Sequence, residues 1–204
     1  MAEDVKSAGP IGGEGKTVEA DETYIGKNDD QTMPAYRKGA PYKSKKLGTR
    51  KRTVVALVER GGSVRSFHVE HATAATVQEI LFTNASREST LYTDESRLYT
   101  VLGKDYDAHR TVNHSGKEYA RYEGDKVVHT NTIENVFSVF KRGMLGTYQH
   151  CGEAHLHRYL AEFDFRYNRR SKLGVEDNLR HDMLLAMTGG KRLTYRRIGE
   201  ARIA

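Results

Sequence analysis

The chain has 204 residues, with 33 Lys and Arg against 27 Asp and Glu and a formal net charge of +6. Its one cysteine, Cys151, excludes an internal disulfide framework and a multi-cysteine zinc site, and no apolar run approaches the roughly 20 residues of a membrane span. With 37% apolar and 29% charged residues, a packed domain with a heavily charged surface is expected, and the basic balance suits a polyanionic partner such as nucleic acid.

Residues 1–16 lack periodicity and read as a flexible lead-in. They are Gly-rich with no apolar h-region, so no secretory signal is expected and the expected location is cytoplasmic. Thr17 to Ile25 alternates apolar and polar residues, a strand pattern ended by Gly26. Residues 27–51 are rich in Gly, Lys, Asn and Asp and read as a long loop. Thr53–Val58 is an apolar run of strand length. Gly61-Gly62 signals a hairpin, and Val64–Val69 alternates again. A helix is predicted over 74–84, with Val77, Ile80 and Leu81 on one face.

Thr90–Thr93 is a short strand stopping at Asp94. A short helix over 96–103 and a fifth strand over His109–Val112 follow, and the polar residues 113–130 read as loop. Two helices then dominate. One runs from Thr132 to Leu145 with Ile133, Val136, Phe137 and Phe140 on its apolar face. The other runs from Gly152 to Tyr167 with Leu156, Tyr159, Leu160 and Phe163 at helical spacing. A last short helix over 175–187 precedes a basic tail. Three opening strands followed by alternation with helices predict an α/β fold, a mixed five-stranded sheet flanked by helices in the order of an RNase H-like core.

Three carboxylates stand out, each with a bland alternative. Asp21 lies inside the first strand, where Asp is unfavourable. Alternation puts it on one face with Glu19 and Thr23, a face that is either functional or simply wet. Asp94 ends an apolar strand as a helix opens, which suits a helix cap and equally an active-site acid at a strand carboxyl end. Glu134 falls in the first turn of the helix after His129-Thr-Asn-Thr-Ile-Glu134, where an acid is favoured by the dipole. With Asn131 as cap it completes a capping box. Lys141 lies seven residues on, two turns along the same face and about 10 Å away, a surface lysine or a contact for a DNA phosphate. Brought together, two strand carboxylates and one helix carboxylate have the hard oxygen ligands to hold two Mg²⁺ ions for phosphoryl displacement.

The segments Val18-Glu-Ala-Asp-Glu-Thr-Tyr-Ile-Gly26, Leu91-Tyr-Thr-Asp94, Asn113-His-Ser115, His129-Thr-Asn-Thr-Ile-Glu134, Lys141-Arg-Gly143 and Gly146-Thr-Tyr148 occur in order, followed by His157 to Arg170. Jointly they resemble the ISXO-like bacterial insertion-sequence transposases. The resemblance implies an RNase H-like catalytic domain over 17–172, with a C-terminal helix and basic tail over 173–204. It implies a DDE-type, Mg²⁺-dependent enzyme (with Mn²⁺ as substitute) that cuts transposon ends and joins them to target DNA, as a homo-oligomer on DNA. Asp21 and Asp94 take the first two ligand positions. Glu134 takes the third, with Asn131 and, more remotely, His129 as alternatives. Lys141 orients DNA.

Two departures are visible. Family members usually begin with a zinc ribbon and a helix-turn-helix region, and a single cysteine excludes the ribbon here. The alternative function is therefore a truncated, non-autonomous remnant that binds DNA or a parent transposase without catalysis. Members also often place a Trp after the helix Glu, where this chain has Phe137 and no Trp at all.

Lys43, Lys45, Lys46, Arg50, Lys51 and Arg52 put six cations into ten residues, a candidate arm for DNA phosphates. Arg142 beside Lys141 joins the same expected interface. His114 is expected either to position a phosphate or water or to be a hydrogen-bonded loop residue. His150, His155 and His157, and the cations Arg166, Arg169, Arg170 and Lys172, read as helix-face and helix-end residues.

Overall fold

The computed structural model describes residues 9–26, 51–116, 118–149 and 151–190. Its centre is a five-stranded sheet of β1 (Thr17–Ile25), β2 (Arg52–Glu59), β3 (Val64–Val69), β4 (Thr90–Asp94) and β5 (Ala108–Val112), in the order β3-β2-β1-β4-β5. β1, β2 and β3 pair antiparallel, whereas β4 runs parallel to β1 and to β5. This is the mixed RNase H-like sheet that the order of elements predicted. β2 reads as a nearly continuous apolar run because both of its faces are covered. Val55 and Leu57 face one layer and Val54, Ala56 and Val58 the other.

The first layer is α1 (Ala74–Asn84), capped by the Thr73 side chain, which accepts from the Thr76 N–H. It buries Val77, Ile80 and Leu81 against Val18, Ala20, Val55, Leu57 and Leu91. A short helix α2 (Arg97–Thr100) and a 3-10 turn add Tyr99 and Leu102 to the same core. From Gly9 onward, the part of the expected lead-in that is described packs on this layer. Ile11 is buried there and bridges Ala85. Gly12 (φ +89) lies so close to Ser89 that an added Cβ would meet its Oγ at 2.1 Å.

The second layer is α3 (Asn131–Gly143) and α4 (Leu156–Asn168). α3 buries Ile133, Val136, Phe137 and Phe140, the face its periodicity predicts. It starts one residue earlier than predicted and runs on through a π-helical turn to Tyr148. α4 starts at Leu156 after a 3-10 turn, and its buried stripe is Leu156, Leu160, Ala161, Asp164 and Phe165. Tyr159 and Phe163, predicted on that stripe, are only half-buried. They meet Tyr148 and Phe140 edge to face.

The physical reason for the displaced stripe is the edge strand β3. Its outward backbone groups need partners, and α4 supplies them. Asp164 accepts from the Ser66 N–H at 2.8 Å and from its hydroxyl at 2.7 Å. Asn168, one turn on, accepts from the Val64 N–H and donates to its carbonyl. Asp164→Ala leaves a buried N–H and a hydroxyl without an acceptor. It is expected to cost about 2–3 kcal/mol, read by urea unfolding, whereas Asp164→Asn, which keeps an acceptor, costs less.

Residues 113–130 are not all loop. Arg121–Glu123 (β6) and Lys126–Val128 (β7) form a small hairpin turning at Gly124 (φ +59). Its apolar anchor is Val128, buried with Tyr92 and Val112. The Gly124-Asp125 pair is a hairpin-turn signal in its own right. A last helix, α5 (Asp177–Ala186), has no fully buried residue. Among the described residues no helix is long and apolar enough to cross a membrane.

Candidate active site

β1 and β4 pair in parallel with Val18 beside Leu91 and Glu19 beside Tyr92, and pairing ends there. Continued two residues, the same register sets Asp21 level with Asp94 on the next strand, about 4.8 Å away in the hydrogen-bonding direction. Both point to the α3 side of the sheet, Asp94 at the carboxyl end of β4 and Asp21 in the middle of β1. The Glu19/Asp21/Thr23 face is therefore not the wet face allowed by the sequence. Glu19 and Thr23 are buried, because α3 crosses there.

Asp94 is not a helix cap. Its Oδ1 accepts from the Ser96 N–H at 3.0 Å, and the cap of α2 is Ser96. The Asn131 capping box does not form either. Thr130 precedes α3 without a side-chain cap bond, and Asn131 is already helical and exposed. Glu134 lies in the first turn, half-exposed, with Oε1 3.3 Å from His114 Nε2. That histidine nitrogen also meets Thr130 Oγ1 at 3.0 Å. The His114 loop is in turn held by Glu95, which accepts from the backbone N–H groups of His114 and Ser115. The Ser115 hydroxyl and N–H bonds keep the Glu95 carboxyl down at about 2.

Asp21, Glu22, Glu134, Lys141 and Arg142 line one cleft of about 460 Å³ together with Phe137 and Ser138. Asp94 does not line it but is felt from it. Burial first, then the charges of Asp94, Glu22 and Glu134, push the Asp21 carboxyl up to about 8. The Glu22 carboxyl is also raised, chiefly by burial, although Tyr99 donates to it at 2.8 Å. Tyr99 is itself held well above its ordinary value by burial and then by Glu22 and Asp21. The site is thus a partly buried concentration of negative charge with cations on the helix across it.

The donor set suits a hard divalent cation in its chemistry, all carboxylate oxygens. A cation would offset both the burial and, after it, the neighbouring charges that raise Asp21. Among the described residues, however, no three His, Cys, Asp or Glu side chains are grouped closely enough to hold a metal ion as they stand. Glu134 is turned to His114, and Asp94 to its own loop.

The other expected contacts divide. Lys43, Lys45, Lys46, Arg50 and His150 lie outside the described residues. Lys51 is exposed. Arg52 pairs with Ile25, four strand residues beyond Asp21 or about 13 Å, and donates to the Cys151 carbonyl. His129 Nδ1 lies 3.2 Å from the Asn131 N–H, and burial lowers its ring's affinity for a proton. Arg170 bonds the Gly62 and Tyr167 carbonyls and Arg166 pairs with Glu162, so these are structural ties. Sequence reasoning passed over Glu19, Glu22, Tyr99 and Glu95. The signal for the first two was available, acids on both sides of Asp21 within a strand whose neighbours are apolar.

The family model described as ISXO2-like transposase domain matches residues 12–168. No curated protein sequence matches the chain. Among solved structures, the catalytic core domain of BIV integrase is similar over 86% of this chain and 97% of its own, at 15% identity and a TM-score of 0.46. Mos1 transposase, solved as a paired-end complex with the left transposon end and as a strand transfer complex, is similar over 75% of this chain. The identities are 10% and 12% and the TM-scores 0.30 and 0.31. The chain spans about half of those two, 53% and 52%.

Proposed function

The chain belongs to the ISXO2-like transposase domain family, and from that membership we propose that it catalyses DDE-type cleavage at transposon ends and their transfer into target DNA. The observation that supports the reading is that burial and the charges of Asp94 and Glu134 all bear on Asp21. The middle of one strand, the end of another and the first turn of a helix carry acids that lie far apart in sequence, and Asp21 feels the charge of the other two. In the reading, these three side chains hold Mg²⁺ or Mn²⁺, with Asn131 as the alternative to Glu134. The metal supplies Lewis-acid stabilisation of the attacking and leaving oxygens. Lys141 and Arg142, on the same cleft, neutralise DNA phosphates. Lys43, Lys45, Lys46, Arg50 and Lys51 extend that grip, and His114 orients Glu134.

The chemistry takes two displacements. A water oxygen attacks phosphorus at the element end, the bond to the 3′-oxygen breaks, and that oxygen leaves as a hydroxyl. The hydroxyl then gives up its proton and attacks a target phosphorus, releasing the target's 3′-hydroxyl. The carboxylates would hold the divalent ions against the reacting phosphate, and the helix cations would stabilise its charge. A homo-oligomer that pairs two ends is part of the proposal.

The test is strand transfer by the purified chain, with pre-cleaved duplexes taken from the DNA flanking its coding sequence. Joined products that require Mg²⁺ or Mn²⁺ support the reading. DNA binding without nicking or joining would overturn it in favour of a non-catalytic DNA-binding role. Lys141→Ala is expected to weaken DNA binding across sequences and to lower the salt slope of log K by about 1, measured by fluorescence anisotropy.

A further inference from the structure

We propose that Glu19 is a positioning residue, whose buried carboxylate, bracketed by Arg60, sets where Glu134 stands relative to Asp21. This inference rests on the reading of the site given above.

A helix leaves its first N–H groups without partners inside the helix. The local candidate for α3 is Thr130, but its hydroxyl is 3.0 Å from His114 Nε2 and makes no cap bond. The cap comes from the sheet instead. Glu19 Oε2 accepts from the Ile133 N–H at 3.0 Å, across 114 residues, and Oε1 accepts from the Thr132 hydroxyl at 2.9 Å.

Glu19 is fully buried, and a buried carboxylate is costly without compensation. Arg60 provides it, with Nε donating to Glu19 Oε1 at 2.6 Å. The rest of that guanidinium donates to the Val127 and His129 carbonyls at 2.9 and 2.6 Å and lies over the Tyr92 ring at 4.5 Å. One pair of side chains thus ties together β1, β4, β7, the turn before α3 and α3 itself.

The geometry connects this tie to the site. Glu19 and Asp21 share a strand face, two residues or about 7 Å apart, and Ile133 is the neighbour of Glu134. Apolar packing would hold the helix on the sheet as firmly. It would not set the helix's rotation and axial position, whereas bonds from one carboxylate to two successive residues do. A catalytic group misplaced by about 1 Å loses on the order of 100-fold in rate.

The experiment uses the full chain as wild type, Glu19→Gln, Thr132→Val and the apolar double variant Glu19→Leu/Arg60→Met. It reads amide exchange along α3 and α4, Mn²⁺ affinity by electron paramagnetic resonance, and kcat and KM for DNA in strand transfer. Glu19→Gln keeps one acceptor but turns a donor either toward Arg60 and Thr132, which share Oε1, or toward the Ile133 N–H. It is expected to speed exchange in the first turn of α3 while α4 stays protected. Mn²⁺ affinity and kcat are each expected to fall about 10- to 100-fold, the effect of losing a group that orients a ligand, with KM for DNA changed less than about threefold. Thr132→Val, which keeps the ion pair and the fold, shifts all three readouts the same way by a few-fold. The double variant keeps α4 protected as in the wild type but does not recover kcat. Wild-type exchange, affinity and kcat in Glu19→Gln would overturn the proposal, and so would recovery of kcat in the double variant. An inactive wild type would refute the functional reading alone, and exchange and Mn²⁺ affinity would still decide the role of Glu19.

Discussion

Asp21→Asn is expected to abolish strand transfer, by about 1,000-fold or more, and at the same time to make the metal-free chain more stable above neutral pH. Both effects have one cause. Asp21 is a largely buried carboxyl beside the charges of Asp94, Glu22 and Glu134, and folding raises it from 3.8 to about 8. Since the folded state holds the proton more tightly, this contribution to stability is complete below about pH 4 and is lost as pH rises through about 8. Asp164, raised by burial from 3.8 to about 7, adds a slope of the same sign between about pH 4 and 7. The wild-type chain in EDTA should therefore melt at progressively lower temperature from pH 5 to pH 8. Asp21→Asn removes its share of that slope and is expected to gain about 1–2 kcal/mol at pH 8. Mg²⁺ should raise the melting temperature of the wild type at pH 8 and leave Asp21→Asn unmoved, since binding to the folded state alone is what stabilises. Full strand transfer by Asp21→Asn would remove Asp21 from the reaction. A flat wild-type melting profile would remove the charge repulsion assigned to it.

Phe140→Ala should cost about 3–5 kcal/mol, the usual range for emptying a buried aromatic position. Phe140 is buried and meets Phe163 edge to face at 4.9 Å. It also borders an apolar cavity of about 280 Å³ between α3 and α4, so neighbours that already leave space would have more to fill. Against a typical total of 5–15 kcal/mol, a loss of this size brings the chain near unfolding at 37 °C. Because α3 carries Glu134 and Lys141, activity should fall with the folded fraction. Urea unfolding checks it, with Val139→Ala, one residue away but 44% exposed, expected within about 0.5 kcal/mol of wild type. Equal midpoints for the two variants would show that α3 is not held by this face.

Much of the fold was legible because period is a local property. Alternation in Thr17–Ile25 and the 3.6-residue spacing of Ile133, Val136, Phe137 and Phe140 are fixed by backbone geometry, and the structure follows them. The hairpin at Gly124-Asp125 was missed since its strands are only three residues long, too short for a period to declare itself. The caps assigned to Asp94 and Asn131 were plausible local solutions. The Ile133 N–H, next to Glu134, instead found an acceptor 114 residues away.

The ordered acids, their spacing to Lys141 and the alternation of strands and helices are properties of the sequence by itself, enough to predict the sheet and to name Asp21, Asp94 and Glu134 as the acids to test. Which polar residues face the cleft and which act as internal ties was decided only by tertiary structure. Glu19, Asp164 and Arg52 look like surface charges in the sequence, yet each is spent on a backbone group of a distant segment. The reason is that a residue's face follows from its own few neighbours, whereas the worth of a buried charge depends on partners that folding alone brings near.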